Sequence, residues 1–439
     1  MPPPNLTTIP LETLTQVILD LDRKDCSALR LVCRKFDFIL LPIFAKRYFE
    51  IIRFMRTKYS LQALVDISES RLASYLKHVL IEIDAPILDN ITVFAYLQNH
   101  EEEVAVDRLS ELTVAETIFL GTGRDQEMLT KAFRNLQLET IGVRTSGLED
   151  AFDSKIRSLG THKIYKETNL DLFGVYCGNR QSSQLKSLAK FLDSILFALV
   201  ESGARPRRFE IDTYFPSLGG TDYDILRFPK RDTRPMVSSL EVIQITIKAD
   251  HIHVPGRHLH RFLSQADHLK TLCITSEISE EFSHWLAAPV SSNDYYILPP
   301  ALTELRECRF SACKLPMLGL LRLIEKCLNL RVLGLSMIEC VDFRQFDDVG
   351  LDKDVLIQLL KKIFQSSTHL EFISLSEFVC KDYPENGDCV AFAGNNAPPR
   401  RLFFYEGPNM KEELEAVEMV VRNRLCFDED GYLLTPVTD

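Results

Sequence analysis

The densest group of chemically capable side chains in this 439-residue chain is HIHVPGRHLH, which puts His251, His253, His258 and His260 within ten residues. Neutral imidazoles that close could hold zinc. Pro255-Gly256 reads as a turn between two dyads, and i, i+2 spacing on an extended chain puts both rings of a dyad on one face. Ile252 and Val254 then read as the buried side, so the first pair faces outward. No Cys, Asp or Glu at ligand spacing completes the set, and the segment is read as polar loop surface with no metal.

Other chemistry is thinner. Gly121-Thr122-Gly123 follows the apolar stretch 117–120 but lacks the third glycine and the helix signal of a nucleotide-binding fingerprint, so it reads as a turn. Arg205, Arg207 and Arg208 could grip a phosphorylated segment through their planar forks, although most such clusters are solvated surface. The eleven cysteines include no C-x-x-C pair, which suits reduced thiols in a reducing compartment. No nucleophile elbow, kinase signature or zinc-protease motif occurs. The expectation is a protein that makes and breaks no bonds itself and needs no cofactor. Trp285, the single tryptophan, reads as packing a helix onto the rest of the chain.

The elements that carry the clearer signal lie at the amino terminus. Residues 6–44, LTTIPLETLTQVILDLDRKDCSALRLVCRKFDFILLPIF, hold more apolar surface than so short a segment buries by itself. Pro10 suits a first helical turn, and Leu11, Leu14, Ile18 and Leu21 recur at helical spacing. A second helix is expected from near Asp25, with Leu29, Val32, Cys33, Phe36, Ile39 and Leu40 as its stripe and a break at Pro42. Leu31 falls off that stripe, and Ile43 and Phe44 add apolar area beyond the break. A partner must cover the excess.

Ile9-Pro10, the Leu14/Ile18/Leu21 spacing, the run from Leu29 to Arg34, then Phe36 and Pro42-Ile43-Phe44 resemble the F-box motif in its usual order. The resemblance implies docking on a Skp-type adaptor, and through it on a cullin-RING ubiquitin ligase. It assigns the adaptor contact to Ile9, Pro10, Leu11, Leu14, Ile18, Leu21, Leu29, Leu31, Val32, Cys33, Phe36, Leu40, Pro42 and Phe44. Arg23 and Cys26 depart from the pattern, standing where many F-boxes carry Leu, which would weaken the contact without changing its mode.

Beyond this segment a pattern L-x-x-L-x-L recurs, the mark of an internal repeat. It begins at Leu76, Leu109, Leu138, Leu240, Leu269, Leu330 and Leu370, with Leu302 and Leu305 as a partial instance that ends on Glu307. Pro206 with Phe209 and Ile211 falls in phase within the long gap, and Leu172 with Val175 and Cys177 does so arguably. Alternating apolar residues make a one-faced strand, and helices over RHLHRFLSQ, MLGLLRLIEKC and VLIQLLKKIFQ precede three of them. Such units resemble leucine-rich repeats, and Cys340 in LNLRVLGLSMIEC is similar to the cysteine of the cysteine-containing variety.

The expected fold is therefore α/β: all-α F-box helices followed by an irregular leucine-rich-repeat-like solenoid with parallel strands. The domains would be an F-box over 1–48, a stiff helical linker over 49–75, the array over 76–410, and a cap and tail over 411–439, with a helix in 411–424. Segments 212–235, 287–300 and 376–400 break the period, read as loops, and are candidates for target contact.

The net charge of −11 argues against a nucleic-acid partner, yet residues 1–60 carry +4 and the remainder −15, so the motif end would favour an acidic partner. No apolar run is long enough for a bilayer, and the start MPPPNLTTIP lacks signal-peptide regions, so a cytoplasmic or nuclear protein off the membrane is expected. Two functions follow. One is the substrate-recognition subunit of a ligase, bringing an unidentified protein target to the ubiquitin carrier by proximity. The other is an adaptor-binding leucine-rich scaffold acting outside any ligase. A metal-dependent hydrolase built on the His cluster is a weaker third.

Overall fold

In the computed structural model, the described residues are 9–83, 103–144, 158–168, 183–215, 232–249, 253–254, 256–278, 280–289, 297, 299–311, 313–315, 317–340, 370–380, 389–393, 402–406, 418–422, 426–427 and 433–434. They show amino-terminal helices followed by repeated helix–strand units with parallel strands, a solenoid-like α/β fold. The chain divides into two compact units, residues 1–178 with 197–206 and residues 179–196 with 207–439.

The first unit opens with α1 (Leu11–Asp20), α2 (Arg23–Leu31) and α3 (Arg34–Phe49), then β1 (Ile51–Met55), α4 (Lys58–Ser68) and β2 (His78–Glu82). It continues with α5 (Glu103–Gly121), α6 (Arg124–Asn135), β3 (Thr140–Arg144) and α7 (Thr161–Thr168). β1, β2 and β3 run parallel and in register, with Ile52 opposite Val79 and Val79 opposite Ile141. These residues and Phe54, Ile81 and Val143 fill one face, buried against helix residues such as Leu61, Leu64, Leu129 and Phe133. The expected linker over 49–75 is thus not helical throughout, because IIRFM forms β1. Ile51 is exposed and Ile52 to Met55 are all buried, and Glu50 alone connects the strand to α3. The strand expected at Leu109–Val114 is part of α5 instead: Leu109 and Leu112 fit a helical period that continues to buried Glu116, Phe119 and Leu120, while Val114 is exposed. The turn at 121–123 is present, with Gly123 at φ 73°, a left-handed conformation a side chain would strain.

The open edge of β1 is sealed by a segment distant in sequence. The Leu159 amide donates to the Arg53 carbonyl at 2.8 Å, and the Ser60 hydroxyl donates to the Leu159 carbonyl at 2.5 Å while accepting from the Met55 amide at 2.9 Å. Unpaired edges invite association with other chains, so this closure protects the sheet.

Helix α8 (Ser183–Ser202) is divided between the units at residue 196, and the second unit continues with β4 (Arg208–Phe215), α9 (Arg234–Val237), β5 (Val242–Ala249), β6 (His253–Val254), α10 (Gly256–Leu263), β7 (Thr271–Thr275) and β8 (Glu277–Ile278). Then come α11 (Glu280–Ala287), β9 (Glu307–Ser311), β10 (Lys314–Leu315), α12 (Met317–Lys326), β11 (Val332–Cys340), β12 (Phe372–Cys380), β13 (Cys389–Ala393), β14 (Leu402–Glu406), β15 (Glu418–Arg422), β16 (Cys426–Phe427) and β17 (Leu433–Leu434). β4, β5, β7, β9, β11 and β12 form a parallel ladder in that order. β14 and β13 join β12 antiparallel, and β15 joins β13.

Three expectations change here. The partial repeat at Leu302 is out of phase by three: Leu302 sits in a turn with φ 54°, and the unit is Leu305-x-x-Cys308-x-Phe310, with Cys308 opposite Leu272 and Leu333. Residues 212–215 and 376–380 extend β4 and β12 rather than forming loops, and Glu418–Arg422 is a strand where a helix over 411–424 was expected. The instance at Leu172 and the helix over VLIQLLKKIFQ lie outside the described residues.

One arrangement recurs at the strand starts. The Glu50 carbonyl accepts from the amides of both Lys77 and His78, and the Lys77 carbonyl from both Glu139 and Thr140. In the second unit the carbonyls of Arg207, Glu241, Lys270, Arg306 and Arg331 each accept the same pair of amides from the next strand. Side chains at these positions pair across strands, Lys270 with Glu241 at 3.0 Å and Arg331 with Glu371 at 3.1 Å.

The first unit also buries an ion pair, Arg56 with Asp125 at 3.5 Å, both side chains almost wholly enclosed. Burial pushes the Arg56 guanidinium down to about 10, and the Asp125 carboxylate opposes that shift. Glu116 accepts the Lys58 amide with both carboxylate oxygens at the first turn of α4, and burial pushes its pKa up. Asp125→Ala should cost roughly 3–5 kcal/mol, because the guanidinium stays buried without this carboxylate, whereas the pair Arg56→Met with Asp125→Leu should cost less. Urea unfolding of the single and double variants measures both, and a single variant as stable as the wild type would contradict the pair's role.

Candidate functional site

The candidate surface is built on α1–α3. Asp22 caps α2, its carboxylate accepting the Asp25 amide at 2.8 Å, so the helix begins at Arg23 and not at Asp25. The expected second helix is two helices: Cys33 takes extended backbone and caps α3, its sulfur accepting the Phe36 amide at 3.5 Å. Pro42 lies inside α3 and does not end it. Proline removes one amide donor, which Phe38 would otherwise have as its i+4 partner, and both residues are exposed.

Packing divides the fourteen residues assigned to the adaptor. Leu14, Ile18, Phe36, Leu40 and Phe44, with Cys26, form the helices' own buried core. Ile9, Leu21, Leu29 and Cys33 are half-buried against it. Pro10, Pro42, Leu31 and Val32 are exposed, the last two at 86 % and 64 %, and the Leu11 side chain lies outside the described residues. Three further apolar residues are exposed and were missed: Val17, Leu19 and, at 80 %, Phe38. Phe38 has Arg34, Leu41 and Pro42 at i−4, i+3 and i+4, a side of α3 opposite to Phe36, Leu40 and Phe44. Reading the apolar stripe found the core of this hairpin; the signal for its outer surface was the apolar residues off the stripe.

Cys26 fills a core position, its thiol 3.6 Å from the Ile18 carbonyl, so its departure from the motif changes packing rather than surface. Arg23 is exposed, its guanidinium 5.5 Å from the Phe49 ring.

Asp37 ties the hairpin to Arg71, which follows α4 in the same unit. Asp37 accepts from Arg71 at 2.6 Å and from Arg30 at 2.8 Å, and these two bonds hold its carboxyl below the ordinary range. Arg30 lies 4.3 Å over the Phe44 ring, and Arg47 donates to the Ile18 carbonyl at 2.7 Å.

Of the four histidines, only His260 has a described side chain. His251 and the side chains of His253 and His258 lie outside the described residues, and no group of three metal-ligating side chains occurs among those described. His253 belongs to β6, but Gly256 starts α10, so His258 and His260 are helical rather than an extended dyad. His260 is buried, stacked 4.1 Å from Trp285 and 5.3 Å from Phe282, and burial pushes it down to about 4. Trp285 is fully buried in α11, its indole donating to the Ile297 carbonyl at 2.7 Å, so it packs a helix as expected. The arginine cluster is split: Arg208 bonds Glu210 and Gln244, while Arg205 and Arg207 are exposed. Cys308, Cys313 and Cys327 are buried thiols whose pKa burial raises, so they are poor nucleophiles.

No protein-family model matches the chain, and no curated protein matches it. No helix among the described residues is long and apolar enough to cross a membrane.

Two outcomes test this placement. Phe36→Ala should destabilise the hairpin by about 3–5 kcal/mol, whereas Phe38→Ala should change stability by no more than about 0.5 kcal/mol. Comparing their unfolding midpoints decides it, and equal losses would contradict the packing. His260 is held neutral, with its folded pKa below the unfolded value of 6.5, so its contribution is complete above that value and is lost as pH falls towards about 4. Going from about pH 7 to about pH 5 should therefore remove on the order of 2 kcal/mol, and His260→Phe should flatten that dependence.

Proposed function

We propose that the chain is the substrate-recognition subunit of an SCF-type cullin-RING ubiquitin ligase, docking a Skp-type adaptor on α1–α3 and holding a protein target on the helix–strand repeats. The observation that carries this reading is the pairing of a complete internal core with an outer apolar set. Leu14, Ile18, Cys26, Phe36, Leu40 and Phe44 complete the hairpin, yet Leu31, Val32 and Phe38 stay exposed. Isolated exposed apolar residues are ordinary; three within eight positions of a basic segment that resembles an F-box favour a partner.

The repeats support the same reading. Leu305-x-x-Cys308-x-Phe310-x-x-Cys313 follows the leucine-rich pattern to its cysteine, and the Cys313 thiol lies 3.1 Å from the Ser311 carbonyl and 3.2 Å from that of Ser276. It stands three residues after Phe310, whereas Cys340 stands five after Leu335 and is in register with Leu315. A receptor of this kind performs no bond chemistry and contributes rate by tethering its target, which favours a stiff mount between hairpin and repeats.

Co-purification of the full chain with a Skp-type adaptor tests the proposal. Leu31→Asp with Phe38→Asp should release the adaptor while leaving the unfolding midpoint near that of the wild type. Retention of the adaptor by that folded variant would reject the docking face. Stoichiometric cullin in the wild-type complex favours the ligase, and its absence favours an adaptor-binding scaffold acting outside one.

A further inference from the structure

The ladder from β4 to β12 buries its Leu and Ile rows on one face, and the opposite face carries small polar residues, Arg208 and Arg309, the acids Glu210, Asp212 and Glu307, and Val242, Val332 and Phe372 at the strand starts. Across that face, strand register aligns Glu210, Gln244, Cys273, Arg309, Gly334 and Ser374. The next row towards the strand ends places Asp212, Thr246, Thr275, Ser311, Ser336 and Ser376 side by side.

The two arginines differ in what they have left to offer. Arg208 is engaged by Glu210 through Nε and by Gln244 through Nη2. Arg309 is held only from behind. Its Nε donates to Glu307 at 2.6 Å, its guanidinium lies 5.6 Å from the Phe372 ring, and its side chain is about half exposed. Its two terminal nitrogens make no hydrogen bond among the described residues.

Gly334 makes this posture possible. A Cβ at Gly334 would sit 3.1 Å from Arg309 Cγ, so the absent side chain is what lets Arg309 lie across β11 towards Phe372. Glycine weakens a strand interior and marks places where other groups approach closely.

We infer that Arg309 anchors an aspartate or glutamate side chain of an extended segment of a protein target, lying across this face. The argument is charge and shape. A fork immobilised through Nε presents two parallel N–H groups that match one carboxylate. Glu307, Glu210 and Asp212 stand on the same face, so a phosphate dianion meets more repulsion there than a singly charged carboxylate. The hydroxyls of Thr246, Thr275 and Ser311 beside it are small donors and acceptors for the segment's backbone. This assignment of a target deepens the receptor reading and rests on it.

The probe is a set of short, fluorescein-labelled Ser/Thr/Val peptides with a central Glu, Gln or phosphoserine, titrated at low salt into the full chain and followed by anisotropy. The Glu peptide should bind about tenfold more tightly than the Gln peptide, the ratio expected for one charge-assisted bond pair. Arg309→Gln should abolish that difference, and Arg309→Lys should reduce it, since the charge remains without the fork. Gly334→Ala should reduce it while Arg309 is still present, and unfolding midpoints confirm that each variant is folded. Glu307→Gln should raise phosphoserine binding relative to Glu. Equal binding of Glu and Gln peptides, binding of none, full discrimination in Arg309→Lys, or preference of the wild type for phosphoserine would overturn the assignment. Adaptor retention, measured on the same preparations, separates the two ideas: a chain that prefers Glu without holding an adaptor keeps the Arg309 site and loses the adaptor-docking reading.

Discussion

Everything in the repeated part of this chain depends on how each strand begins. One carbonyl at the strand start accepts two consecutive amides from its neighbour, and this recurs within each unit from Glu50 to Lys77 and from Arg207 to Arg331. A buried strand cannot leave such groups unpaired without losing roughly the free energy of a hydrogen bond at each. The shared acceptor therefore fixes register, and register fixes which side chains face the core. Ile243, Leu272, Cys308 and Leu333 align because Glu241, Lys270 and Arg306 each hold the next strand at its first residue.

That arrangement has a trace in the sequence. The residue after the first apolar position of each unit is charged in every case: Glu50, Lys77, Glu139, Arg207, Glu241, Lys270, Arg306, Arg331 and Glu371. Its backbone is committed and its side chain is left at the margin, where opposite charges pair. Apolar spacing alone located most of the strands, but it placed one at Leu109–Val114, inside α5, and missed β1. A three-residue and a five-residue interval fit a helix as well as a strand, and only the charged second position separates Glu50 and Lys77 from Ser110. The same rule moves the unit at Leu302 to Leu305, where Arg306 follows and Cys308 takes a leucine's place.

The candidate site was legible in its location and less so in its detail. Helical periodicity identifies residues that are buried somewhere, and in α1–α3 it found those that bury one another. Phe38 shows why the rest was hidden: in sequence it is one more apolar residue in FDFILL, and only the cap at Cys33 sets the phase that turns Phe36 inward and Phe38 outward. Arg309 was invisible for a different reason. Its posture depends on Gly334 and Phe372 from two other strands, a relation that no local spacing contains.

The single residue between α3 and β1 makes the length of that helix a phase setting. An α-helix turns about 100° and rises about 1.5 Å per residue, and Glu50 has no slack, because its carbonyl is already bonded by Lys77 and His78. Adding one residue to α3 would swing Leu31 and Phe38 more than a quarter turn about the axis while leaving the sheet where it is. The chain thus encodes the direction in which its outer apolar face points as an integer, the number of residues from Arg34 to Phe49, in the way a keyed shaft admits only one orientation of the part it carries.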